Sequence, residues 1–320
     1  MIFRYRVTTG LNYKRRISFI PMTHSLSTLL KKYNLHPRKG LGQNFLADPH
    51  HLKKIIEAAE LDPNDLVVEI GPGPGILTRL LTAAAGQVVA VELDSDMVNL
   101  LHHEFGHLTN LTIIEADILN VEVASLLSAV SSQPLAVSRQ DSELGAQNPK
   151  LKTINYKVVA NLPYYITSAV LRHLLEATPK PQQLVVTVQK EVAQRIVAGP
   201  GKMSLLAVSI QFYGQPTLVH YIPAGAFYPA PKVDSAVVRI DTYPQPAANV
   251  TDINLFFEVV KAGFGQKRKQ LKNALASGLH KPVVEVSAVM HQAGIDPTRR
   301  AETLSLQEWG QLVEAMWSVL

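Results

Sequence analysis

Leu66-Val67-Val68-Glu69-Ile70 is an apolar run broken by a single acid, and Gly71-Pro72-Gly73-Pro74-Gly75 follows it directly. A helical pattern begins at Ile76 and runs to Ala84. A continuous run, rather than an alternating one, is what a strand covered on both faces requires. Runs of the same kind recur at residues 88–91, 111–115, 158–160, 184–188, 218–222 and 236–240, which makes seven predicted strands. Helical periodicity falls between them at 51–59, 96–105, 168–176 and 191–197. Strand and helix in alternation predict an α/β fold, a doubly wound and mostly parallel sheet with helices on both faces. Residues 223–233, between the last two runs, are too proline-rich for a crossover helix, so those two strands are expected to pair antiparallel.

Around this core the chain changes character. Residues 128–153 are rich in Ser, Gln, Asn and Pro and read as a surface insertion. Pro244-Gln245-Pro246 reads as a linker. Beyond it, helical patterns at 253–263, 268–277, 284–292 and 305–319 predict a small all-helical domain. The expected division is a basic leader over 1–36, the α/β domain over 37–245 and the helical domain over 246–320.

Composition bounds the function. With 320 residues and 47% hydrophobic content, the chain can bury the cores of two domains and is not globally disordered. A net charge of +5 suits a polyanionic partner. The absence of cysteine excludes disulfides and thiolate metal sites, and no metal is expected. No apolar run reaches the length of a membrane span, and no membrane partner is expected. The first acid is Asp48, and nine Lys and Arg residues precede it. Such a leader reads as an organelle targeting segment, a basic arm, or the product of an upstream start codon with Met22 as a second start. It shows no convincing apolar face, which favours the last two and a cytoplasmic location.

The glycine loop reads as a cofactor site. Glu92 ends the next predicted strand, 21 positions after Gly71, where a carboxylate can accept both ribose hydroxyls of a nucleoside. Pro72 and Pro74 have no N–H, which makes the loop poor at cradling a pyrophosphate. A nucleoside without phosphates fits better, and S-adenosylmethionine is the obvious one. Asp117, past the third strand, can accept from its adenine amine. The alternative is a tight strand–helix turn with ordinary strand-end acids, which the agreement of three strand ends disfavours.

Asn161-Leu162-Pro163-Tyr164 follows the fourth predicted strand. A polar amide, a rigid proline and an aromatic ring at a strand end make a platform for a flat base carrying an exocyclic amine. Methyl transfer from a sulfonium to an amine needs alignment more than acid–base help. The Asn161 side-chain oxygen and a backbone carbonyl beside Pro163 can accept the two amine hydrogens, and Tyr164 can stack on the ring. A base inside a duplex must be flipped out to reach them. An Asn-Pro turn over a core tyrosine is the alternative. Phe227, with Tyr228, can close the other face of the base or equally serve as a plug under a turn.

Five segments together resemble the ribosomal RNA adenine dimethyltransferase family, over roughly 37–317. Arg38-Lys39-Gly40-Leu41-Gly42-Gln43-Asn44-Phe45-Leu46 is similar to its N-terminal signature, residues 68–75 to its glycine loop and 161–164 to its target motif. Residues 227–235 resemble its Phe-x-Pro-x-Pro-Lys-Val-x-Ser element, and 263–271 the basic turn that opens its helical domain. The resemblance implies a Rossmann-like, seven-stranded class I methyltransferase fold with one antiparallel strand. It implies cofactor contacts at Asn44, Leu46, Gly71, Gly73, Glu92, Asp117 and Asn161. It implies catalytic positions at Asn161, Leu162, Pro163, Tyr164 and Phe227, and dimethylation of two adjacent adenosines in the 3′-terminal hairpin of small-subunit rRNA. The partner expected on this basis is a pre-30S-like particle, met by a monomeric enzyme. The 128–153 insertion and the long leader depart from the family pattern without removing a motif residue.

Lys267, Arg268 and Lys269 lie in an acid-free stretch that can track phosphates, and Arg38 and Lys39 add a second basic element. A solvated helix start is the ordinary reading of the first. Three other functions remain compatible with the motifs: a large-subunit rRNA methyltransferase of the macrolide-resistance type, a non-catalytic assembly or transcription factor, and a DNA adenine methyltransferase. Intact Glu92, Asp117 and Asn161 argue against the second. Leu162, where DNA enzymes usually carry proline, argues against the third.

Overall fold

A computed structural model describes residues 26–131 and 155–317. Residues 1–25 of the leader, Met22 among them, and 132–153 of the expected insertion lie outside the described residues. The seven runs form one sheet of seven strands: β1 (Leu66–Ile70), β2 (Gln87–Glu92), β3 (Leu111–Glu115), β4 (Tyr156–Asn161), β5 (Gln183–Gln189), β6 (Gly214–Ile222) and β7 (Ser235–Thr242). Their spatial order is β3-β2-β1-β4-β5-β7-β6. β7 runs antiparallel to both neighbours, and the other four pairings are parallel.

The period of two explains why both faces are buried. Val68, Ile70, Val158, Ala160, Leu184 and Val186 enter one apolar cluster, while Val67, Val159 and Val185 enter the other. The second cluster is covered by the helices Pro49–Ala59 and Ile76–Ala84, through residues such as Ile55 and Leu81. Leu26 and Leu30 join it, from the helix Leu26–Lys32. This end of the leader is therefore packed, not a loose arm; its apolar spacing is too short to show in a basic sequence.

The helix Leu205–Tyr213 was not among the expected elements. It is apolar on nearly every face, because it lies between the sheet and the C-terminal helices, so its sequence carries no helical period. Its Phe212 ring stacks on Phe256 at 4.4 Å between centroids. Phe256 belongs to the helix Ile253–Phe264, the first of the four helices after Pro244-Gln245-Pro246, so these share one continuous core with the sheet. The next helix begins at Leu271, not at Arg268, and leaves Lys267, Arg268 and Lys269 in the connecting turn. Among the described residues, no helix is long and apolar enough to cross a membrane.

Candidate active site

The register of the parallel strands creates the site. Ile70 is paired with Val91 and with Ala160, and Glu92 with Glu115. The chain therefore leaves β1, β2, β3 and β4 along one edge, which brings Gly71, Glu92, Asp117 and Asn161 together from distant parts of the sequence. Ligands in open α/β sheets bind outside such carboxyl ends. A cleft with about 780 Å³ of empty space, part of it open to solvent, lies there. Asn44, Gly71, Gly73, Glu92, Asp117 and all four residues of the 161–164 motif line it. Leu46 does not; it lines a smaller neighbouring pocket behind the glycine loop.

The loop's conformation explains its composition. Gly71, Gly73 and Gly75 have φ of 65°, 53° and 80°, a region that side chains disfavour. A Cβ on Gly73 would also lie 2.6 Å from the Phe45 ring, so this glycine admits the N-terminal signature onto the loop. Glu92 holds the loop from the other side. Its Oε2 accepts from the Gly73 N–H at 2.9 Å, and its Oε1 accepts from the Leu93 and Asp94 N–H groups at 2.9 Å each. Burial raises its pKa, and these backbone N–H groups oppose the rise. Oε1 has both lone pairs engaged, while Oε2 keeps one free toward the cleft.

Asp117 caps the turn Ile118–Asn120, accepting from the Leu119 N–H at 3.0 Å. Glu69, on the same face of β1 as Val67, is fully buried. Burial pushes its pKa up to about 8, the neighbouring Glu92 carboxylate acts in the same direction, and the Thr78 hydroxyl opposes the rise.

The cleft's chemistry fits an S-adenosyl nucleoside. Glu92 and Asp117 contribute carboxylates, and no Lys or Arg lines it among the described residues. A phosphate-bearing cofactor would find like charge there, whereas a cationic sulfonium finds the opposite one.

Asn161 is oriented by its own amide. Its Nδ2 donates to the Asn44 carbonyl at 3.0 Å, and Asn44 Nδ2 donates to the Gly42 carbonyl at 3.1 Å. With the NH2 group engaged, Oδ1 is left as the acceptor in the cleft. The Pro163 carbonyl is taken up by the Ile166 N–H and the Thr167 hydroxyl, both at 3.3 Å. This leaves the Leu162 carbonyl, immediately before Pro163, as the backbone acceptor. Tyr164 is half-buried, and its hydroxyl shares a 2.7 Å hydrogen bond with the buried Ser235 Oγ. Its ring is thus tethered through the hydroxyl at the cleft wall.

Other expected residues sit elsewhere. Phe227 is 5% exposed and belongs to the apolar cluster under the loop; its backbone forms a short antiparallel ladder with Phe45–Leu46. It does not line the cleft in this structure. Arg38 forms ion pairs with Asp94, at 3.0 Å, and with Asp96, so its charge is matched. Gln43 Nε2 donates to Asp94 Oδ2 at 2.8 Å and reinforces this tie across the cofactor edge of the cleft. Lys39, Lys267, Arg268 and Lys269 are exposed.

Asp94, Gln43 and Ser235 were not singled out from the sequence. All lie within or beside recognised segments, but only the contact gives each a task. Tyr165, 62% exposed on the rim of the cleft, was likewise passed over.

The sequence pattern of the family described as Ribosomal RNA adenine dimethylase matches residues 34–316 of this chain. Ribosomal RNA small subunit methyltransferase A of Dehalococcoides mccartyi is 48% identical over 286 residues, which cover 89% of this chain and 90% of that protein. Among solved structures, the 23S rRNA methyltransferase ErmE is similar with a TM-score of 0.61 at 27% identity, over 85% of this chain and 99% of that one. A dimethyladenosine transferase from Plasmodium falciparum shares the fold, with a TM-score of 0.65 at 23% identity, over 84% and 95% of the two chains.

Proposed function

The chain belongs to the ribosomal RNA adenine dimethylase family, and from that premise we propose that it dimethylates the exocyclic amines of two adjacent adenosines in the 3′-terminal hairpin of small-subunit rRNA. The fold is that of a class I methyltransferase with a C-terminal helical region. S-adenosylmethionine is the proposed donor, supplying a methyl carbon bonded to a positively charged sulfur.

The observation that carries this reading is the oriented Asn161, facing a cleft that holds both Glu92 and Asp117. Glu92 Oε2 accepts from the ribose and Asp117 from the adenine amine of the donor. Asn161 Oδ1 and the Leu162 carbonyl accept the two hydrogens of the target amine, which turns its delocalised lone pair toward the methyl. Tyr164, fixed by Ser235, supports the flipped ring. A monomethylated amine keeps one hydrogen, so one of the two acceptors still orients it for a second transfer.

The greater similarity to a small-subunit enzyme, 48% against 27% for the 23S enzyme, favours the small-subunit substrate. We place the reaction in the cytoplasm, on a pre-30S-like particle and with a monomeric enzyme. The test is mass spectrometry of rRNA digests after separate incubation with small and large subunits that lack the modification. Dimethyladenosine in the 3′ hairpin of small-subunit rRNA is the expected result. Product only in large-subunit rRNA would establish the macrolide-resistance type instead.

Docking is assigned to the turn before Leu271. Lys267, Arg268 and Lys269 are exposed, and no carboxylate among the described residues forms an ion pair with them. Changing all three to alanine is expected to weaken RNA binding and to flatten its salt dependence, by up to about 0.7–0.9 log units of slope per lost phosphate contact. Binding of S-adenosylmethionine is expected to be unchanged. Filter binding across a salt series checks this, and an unaltered slope returns the turn to ordinary solvated surface.

A further inference from the structure

We infer that His50, His51 and His220 form a binding site for one divalent late transition metal ion, of which Zn2+ is the example tested below. One nitrogen of each imidazole lies within 4.8 Å of the others. The ring centroids are 5.0 Å apart for His51 and His220, 5.4 Å for His50 and His51, and 5.8 Å for His50 and His220. His51 Nδ1 and His220 Nε2 already stand 2.9 Å apart and share one proton.

Nothing in the sequence suggests this cluster, since His220 is 169 positions from His51. Two local devices assemble it. Asp48 caps the helix Pro49–Ala59 by accepting from the N–H groups of His50 and His51, and so fixes both in the first helical turn. On the facing edge strand β6, a bulge at Val219 shifts the register, so that Leu218 pairs with Val238 and His220 with Val237. Such a bulge re-aims the side chains that follow it.

The donor set selects the ion. Three imidazole nitrogens suit Zn2+, Cu2+ or Ni2+, while Mg2+ and Ca2+ need oxygen ligands. Zinc binds imidazole nitrogen at about 2.0–2.1 Å, which in a tetrahedral site puts ligand nitrogens roughly 3.4 Å apart. Reaching that from the present spacing takes a side-chain rotation of the exposed His50 and displacement of the proton between His51 and His220. Water would complete the fourth position. A metal there cross-links the helix that follows the Phe45–Leu46 strand to the strand that leads into the loop before Ser235. It would therefore tie this helix to the edge strand of the sheet, away from the residues that line the cleft.

The test uses the full chain without a polyhistidine tag. Titration with Zn2+ by calorimetry is expected to show one equivalent bound, and Zn2+ to raise the thermal midpoint. His220→Asn and His51→Gln are each expected to weaken that binding at least tenfold and to abolish the thermal shift, at unchanged circular dichroism. His107→Asn, at an exposed histidine elsewhere, is the control and is expected to change neither. Co2+ bound to the wild type is expected to give visible absorption of a low-coordinate nitrogen site, lost in His220→Asn. Wild-type affinity retained in His220→Asn, or no saturable single-equivalent binding, overturns the assignment.

Discussion

Asn161→Ala is expected to lower methyl transfer by at least about 100-fold, the order of effect that a 1 Å misplacement of reacting groups produces. The side chain does two things. Its NH2 group is anchored on the Asn44 carbonyl, and in the proposed mechanism that anchor directs Oδ1 at the target amine. Alanine removes both the acceptor and the tie between the N-terminal signature and β4. RNA affinity is expected to stay nearly intact, because phosphate contacts far from the cleft position the substrate. Asn161→Asp separates the two roles. It keeps an acceptor and loses the donor to Asn44, so its activity should fall between those of alanine and wild type. The measurement is quantitation of mono- and dimethyladenosine by mass spectrometry at matched folding. Near-normal dimethyladenosine from the alanine variant would falsify the placement of the active site.

Glu92→Ala is expected to weaken S-adenosylmethionine binding by about 1.5–3 kcal/mol, the worth of a charge-assisted hydrogen bond to a ribose hydroxyl. In calorimetry this reads as a loss of roughly 10- to 150-fold in Kd. The structure adds a second consequence. Glu92 satisfies the Gly73, Leu93 and Asp94 N–H groups, so alanine also releases three donors at the base of the cleft. A lower thermal midpoint of the ligand-free protein should therefore accompany the loss of affinity. Glu92→Gln retains one oxygen acceptor for the backbone but places an NH2 group where the second oxygen stood, and is expected to recover only part of the thermal stability and part of the affinity. Wild-type affinity in a folded Glu92→Ala variant would remove this residue from the cofactor site.

These expectations were open to the sequence to different degrees. The glycine loop, Glu92, Asp117 and Asn161 were readable because strand ends in a doubly wound sheet fall on one edge, and parallel register aligns them. The helix Leu205–Tyr213 was not readable, since it is apolar on nearly every face, its exposed Leu205 included, and so has no polar face to give it a period. Arg38 was expected, with Lys39, to form a second basic element for phosphates. Its acids, Asp94 and Asp96, are nearly sixty residues away and meet it only in the fold.

The sequence alone determined the architecture and the chemistry of the cleft. Both depend on patterns written within one segment: apolar periodicity for the strands, prolines that remove two of the loop's N–H donors, and an amide, proline and ring at one strand end. Tertiary structure alone decided which side chains are aimed and which are merely present. Asn161 keeps its amide oxygen free as an acceptor because the carbonyl of Asn44, 117 residues away, takes one of its amide hydrogens. Tyr164 is fixed because Ser235 begins the antiparallel strand, and Phe227 is withdrawn because its backbone pairs with Leu46. His50, His51 and His220 become a cluster only through a helix cap and a strand bulge. Apart from the helix cap, which is local, each of these is a contact between segments distant in the chain. Its geometry is set by the register of the sheet, which no local stretch of the chain encodes.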